Sequence, residues 1–93
     1  MSDLRSRFKQ AQEDVNGLAK RSDNVTLLLL YALYKQATVG DAADERPSTL
    51  DFVRQAKYDA WDDIRGTSAD DAMRQYIDLA AALMSRGSPS PIH

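Results

Sequence analysis

The chain has 93 residues, 43% of them hydrophobic and 28% charged, the make-up of one soluble globular domain with a modest core. Its 12 lysines and arginines against 14 acids give a formal net charge of −2, so the whole-molecule field attracts neither nucleic acid nor an anionic membrane. Any phosphate site must be a local cluster working against that field, and the absence of cysteine excludes disulfides, thiolate chemistry and cysteine-type zinc sites.

From Leu4 the apolar positions run Leu4, Phe8, Ala11, Val15 and Leu18, a single helical stripe that Ser2 or Asp3 can cap. Asn16-Gly17 weakens its last turn, Lys20 to Asp23 reads as a polar connection, and Ser22, Asp23 or Asn24 can cap a second helix spanning Val25 to Val39. The longest apolar run, Leu27 to Leu33, is too short to cross a bilayer, and no secretory signal pattern precedes it. The expected location is therefore cytoplasmic, without stable membrane insertion. Gly40-Asp41 ends the second helix, and a longer connection with turn formers and Pro47 follows. Ser48, three residues before Asp51, predicts the start of a third helix with Phe52, Val53, Ala56, Ala60, Trp61 and Ile64 inward and Gly66 closing it. Asp70 and Asp71 suit the first turn of a fourth helix, whose stripe is Ala69, Ala72, Met73, Tyr76, Ile77, Ala80, Leu83 and Met84. The pattern predicts an all-α bundle of four helices over residues 1–86, with a flexible C-terminal tail at 87–93.

Catalysis finds little support in these residues. The one histidine is His93, and no serine stands in a nucleophile-elbow or triad context. Asp62-Asp63 and Asp70-Asp71 are sequence neighbours, which a helix points about 100° apart, so they form no matched acid–base pair. Metal-ligand spacing is absent as well. The second helix is more informative. Leu27, Leu28, Tyr31, Tyr34, Lys35 and Thr38 share one face, while Val25, Leu29, Ala32, Leu33 and Gln36 share roughly the opposite one. A face of leucines, two phenols and an ammonium suits an amphipathic ligand with an apolar part and a flat, anionic part. It equally suits a packed helix whose tyrosines bury their rings beneath a snorkelling lysine. Lys57 and Tyr58 on the third helix and Tyr76 on the fourth add a second ammonium and more phenols, a set fitted to a phosphorylated purine nucleotide if the helices meet.

Four segments, YALYKQATVGD (Tyr31 to Asp41), RPSTLDF (Arg46 to Phe52), AKYDAW (Ala56 to Trp61) and GTSADDAMRQYI (Gly66 to Ile77), occur in this order. Together they closely resemble the acyl-CoA-binding protein family, over Phe8 to Leu83. The resemblance implies an up-down-down-up four-helix bundle, a monomer without cofactor that binds one acyl-coenzyme A molecule and carries out no catalysis. It implies that Tyr31 and Lys35 contact the 3′-phosphoadenosine part, with Tyr34 adjoining, that Lys57 binds the 3′-phosphate, and that Tyr76 contacts the nucleotide. Many relatives carry lysine where this chain has Asn16 and Val53, and tryptophan where it has Tyr58. Asn16 can donate a hydrogen bond but no charge, and Arg21 and Arg54 are the candidates to replace the missing cations. Leu27 and Leu28 fit either the path of an acyl chain or ordinary core. The alternatives in other classes are a protein-interaction module, in which the ligand face docks a helix, and a thioesterase.

Overall fold

The computed structural model describes residues 3–18, 22–43, 45–47 and 51–87. They form α1 (Asp3–Leu18), α2 (Asn24–Thr38), α3 (Phe52–Asp63) and α4 (Ala69–Gly87), with no strand among the described residues. Three helix starts are fixed by side-chain caps that satisfy otherwise orphaned amides. Asp23 accepts from the Thr26 N–H at 2.7 Å, Asp51 from the Arg54 N–H at 3.1 Å, and the Ser68 hydroxyl from the Asp71 N–H at 3.0 Å. The cap of α3 is thus Asp51 itself, while Ser48, from which its start was read, lies outside the described residues.

Helix directions follow from which residues meet. Phe8 in α1 lies against Tyr34, late in α2, and against Tyr76, early in α4. So α1 is antiparallel to α2 and parallel to α4. Lys35, late in α2, reaches Trp61, late in α3, and Leu27 and Leu28 share a groove with Phe52 and Val53 at the two helix starts. So α2 and α3 run parallel, which is why their connection is long. This is the up-down-down-up order.

The main core joins α1, α2 and α4: Phe8, Ala11 and Val15 meet Leu30, Leu33 and Ala37, and Ala72, Met73, Tyr76, Ala80 and Leu83. Helix α3 packs mainly on α2, through a smaller cluster of Ala32, Ala42 and Trp61. Two glycines make the turns beside this cluster possible. Gly40 and Gly66 have φ of 101° and 92°, where a Cβ would be strained.

Several positions expected inside are not. Phe52 and Val53 are 72% and 64% exposed, and Met84 is 42% exposed. On α2 the row Val25, Leu29, Ala32, Gln36 is buried only in its second half. There the 40–42 segment and the turn before α4 fold over it, with Gln36 Nε2 donating to the Asp41 carboxylate at 2.7 Å and to the Thr67 carbonyl at 2.8 Å. Nothing among the described residues covers Val25 and Leu29 in the same way.

Candidate ligand-binding site

Helix α2 and helix α3 face each other along two stripes at helical spacing. Leu27, Leu28, Tyr31 and Lys35 form one; Arg54, Lys57, Tyr58 and Trp61 form the other. Because α3 leans on α2 through small residues and one indole, the stripes do not close on each other. They leave a cleft of about 240 Å³ between Tyr31, Lys35, Arg54, Lys57, Tyr58 and Trp61, rimmed by Glu45 and Pro47. At the N-terminal ends of both helices the cleft gives way to an apolar groove of about 370 Å³. Its walls are Leu27 and Leu28 on one side and Phe52, Val53 and Ala56 on the other. Lys57 lines both spaces and marks the junction.

The two ammoniums cross the seam. Lys35 of α2 places Nζ 5.0 Å from the centre of the Trp61 ring of α3, and Lys57 of α3 places Nζ 5.3 Å from the Tyr31 ring of α2. Such contacts hold a cation over a π face without neutralising it. No ion pair to either lysine occurs among the described residues. The charges therefore remain available to an anion, in a protein whose net charge is negative.

The walls are held by bonds outside the cleft. Trp61 Nε1 donates to the Gly40 carbonyl at 2.7 Å, which fixes the indole plane under Lys35. Arg46 grips Asp59 through two bonds, of 2.8 and 3.0 Å, and Gln55 donates to the Pro47 carbonyl at 2.9 Å, so the rim segment 45–47 is tied to α3. The Arg46 guanidinium holds the Asp59 carboxyl below its ordinary value, first by hydrogen bonding and then by charge. Asp41 is lowered as well, first by the Gly66 N–H at 2.8 Å and then by Gln36, and it joins the end of α2 to the turn before α4.

The expected residues thus divide. Tyr31, Lys35, Lys57 and Arg54 come together in the cleft, and Leu27 and Leu28 line the adjoining groove. Tyr34 and Tyr76 turn toward α1. The Tyr34 ring stacks 6.2 Å from Phe8, and Tyr76, 5% exposed, meets the same ring edge-on at 5.1 Å. Burial, and then the neighbouring Tyr34, push the Tyr76 hydroxyl above its ordinary value. Asn16 is exposed on α1 and lines neither space, and Arg21 lies outside the described residues. Trp61, Glu45 and Pro47 in the cleft, and Asn24, Phe52, Val53 and Ala56 in the groove, are residues the sequence did not offer as lining. Trp61 sits four residues after Lys57 and three after Tyr58, the spacing that would have placed it beside them. Glu45 lies in a connection, where no periodicity could orient it.

Comparison with known proteins agrees with this architecture. Residues 5–80 match the family profile described as Acyl CoA binding protein. An acyl-CoA-binding protein of Brassica napus is 39% identical over 87 residues, covering 94% of this chain and 95% of that one. A protein of the same name from Saccharomyces cerevisiae is 40% identical, covering 87% and 93%. The chain also matches enoyl-CoA delta isomerase 2 of Rattus norvegicus at 40% identity, with 89% of this chain aligned to 21% of that enzyme. Among solved structures, acyl-CoA-binding protein 2 of Oryza sativa superposes with a TM-score of 0.87 at 36% identity, covering 94% of this chain and 99% of that one. The protein from Moniliophthora perniciosa gives 0.84 at 32% identity, covering 92% and 85%. By the match along its sequence and the superposition of its four helices, the chain belongs to the acyl-CoA-binding protein family.

Proposed function

We propose that this protein binds acyl-coenzyme A thioesters one-to-one, sequestering and carrying them without catalysis, as a cytoplasmic monomer. The observation that carries the reading is the junction at Lys57, where a cleft of aromatic rings and ammoniums opens into an apolar groove. An acyl-CoA has the matching order of parts. Lys35 and Lys57 leave their rings to meet the 3′-phosphate, at about 1.5–3 kcal/mol for each charge-assisted bond. The Tyr31 ring flanks the base, where stacking contributes about 1–3 kcal/mol. Leu27 and Leu28, opposite Phe52 and Val53, take the acyl chain, each buried methylene adding about 0.8 kcal/mol before ordering costs. Exposure of Phe52 and Val53, unexplained by packing, is accounted for by an apolar ligand that covers them. The contacts that the resemblance implies for Tyr34 and Tyr76 run through their hydroxyls, because both rings rest on Phe8.

Non-catalytic binding is favoured over thioester hydrolysis because the cleft is lined by no nucleophile with an adjoining base. The test is calorimetry combined with native mass spectrometry, using acyl-CoA, its 3′-dephospho form and the free fatty acid. A one-to-one adduct with intact thioester is expected, more than tenfold weaker without the 3′-phosphate. The free acid should bind poorly. Equal affinity for the dephospho ligand, or release of free CoA, would overturn the reading.

A further inference from the structure

The cleft holds a third cation, Arg54, named above only as a candidate replacement for a missing lysine and given no part of the ligand. Arg54 lies three residues before Lys57 on α3, so its side chain leaves the same helix face about 4.5 Å along the axis toward the groove. It is exposed, and among the described residues its guanidinium meets no carboxylate at ion-pair distance. Its backbone N–H, not its side chain, is what the Asp51 cap engages, so the helix start does not depend on the guanidinium. Lys35 and Lys57 sit over rings at the inner end of the cleft, whereas Arg54 has no ring contact among the described residues. The one carboxylate lining the cleft is Glu45, which leaves the three cations unbalanced by two charges.

A coenzyme A ester carries two separate anionic groups, the 3′-phosphate and the 5′-diphosphate. If the two lysines meet the first, as the proposed function holds, the second still needs a cation. A planar guanidinium, with its fork of donors, suits a diphosphate better than an ammonium does. We propose that Arg54 is the diphosphate-recognising residue of the cleft, and that Glu45 weakens the same contact by repulsion. The assignment rests on the acyl-CoA reading but concerns a different part of the ligand.

The test is calorimetry on the full chain with octanoyl-CoA and 3′-dephospho-octanoyl-CoA, unfolding being followed in parallel. Arg54→Gln should weaken octanoyl-CoA about tenfold, and by the same factor on the dephospho ligand, because the diphosphate is present in both. Lys35→Ala, in contrast, should lose most of its effect on the dephospho ligand. Arg54→Lys should recover part of the loss, and Glu45→Gln should tighten binding about two- to threefold by removing repulsion. Unchanged affinity in Arg54→Gln overturns the proposal while leaving the acyl-CoA reading intact. An Arg54→Gln loss that vanishes on the dephospho ligand overturns the diphosphate assignment and moves Arg54 to the 3′-phosphate. Failure of the wild-type chain to bind octanoyl-CoA overturns both readings.

Discussion

The two sides of α2 are built in opposite ways. Toward α1 and α4, Leu30, Leu33 and Ala37 meet eight buried side chains of the neighbouring helices, and the interface is closed. Toward α3 the buried cluster is only Ala32, Ala42 and Trp61, and the remainder of the seam is cleft and groove. One side spends its apolar residues on stability, while the other leaves Phe52 and Val53 uncovered and Leu27 and Leu28 half-buried, and holds its helix through an indole and a few hydrogen bonds. The difference teaches that α3 is positioned rather than buried. A site can then lie open along its length without weakening the core that supports it.

That contrast predicts which substitutions harm folding and which harm binding. Leu33→Ala removes a side chain only 1% exposed at the closed interface and should destabilise by about 2–5 kcal/mol, read by denaturant unfolding. Phe52→Ala, at a position 72% exposed, should change stability by no more than about 0.5 kcal/mol while weakening binding of long-chain ligands. A large stability loss in Phe52→Ala would show that the seam carries more of the fold than its packing implies.

Lys35→Ala sharpens the same division at smaller magnitude. It should cost acyl-CoA binding about 1.5–3 kcal/mol. Its effect on unfolding should stay within about 0.5–1 kcal/mol, the worth of a cation–π contact with Trp61. Tyr31→Phe keeps the ring under Lys57 and removes only the hydroxyl, so the expected affinity loss is about 0.5–1.5 kcal/mol. Normal binding in Lys35→Ala, with the protein folded, would remove the cleft as the head-group site.

Protons should separate the two sides with the smallest effects. Asp41 and Asp59, both near the seam, have carboxyls lowered from the ordinary 3.8. Their contribution is fully present above the unfolded value and is lost as pH falls from there through the folded value. Tyr76, in the closed core, is raised from 10.0, so its contribution is present below that value and is lost as pH rises through the folded value. Asp41→Asn should flatten the acid limb of a stability–pH curve and leave the alkaline limb unchanged. Tyr76→Phe should do the reverse.

Much of this was legible in the sequence, and the misses have physical causes. The stripe from Leu4 to Leu18 gave α1 and its inward face, and Phe8, Ala11 and Val15 are buried as their spacing required. Periodicity fixes directions around one axis, however, and says nothing of how far a neighbouring helix extends. So periodicity groups Val25 and Leu29 with Ala32 and Gln36, although only the second pair is covered. The pattern points Phe52, Val53 and Met84 inward for the same reason: an apolar residue on the right arc looks identical whether packed or left for a ligand. Tyr31, Lys35 and Lys57 were found together because tyrosine and lysine stand out against an aliphatic stripe. Tyr34, 60° away from Tyr31 on the helical wheel, went with them, and only the position of Phe8 shows that it faces α1. Its place in the apolar stripe assigns Trp61 to the core alone, yet the buried indole also lines the cleft.

The chain has a single tryptophan, and its indole lies directly beneath the Lys35 ammonium, with its N–H held by the Gly40 carbonyl. A full positive charge 5.0 Å from a ring shifts the energy of its excited state, and removing that charge shifts it back. An anion that draws Lys35 away must therefore alter the emission of the one indole present. On the proposed function, in which acyl-CoA engages Lys35, the molecule has an optical gauge of its own occupancy that needs no attached label.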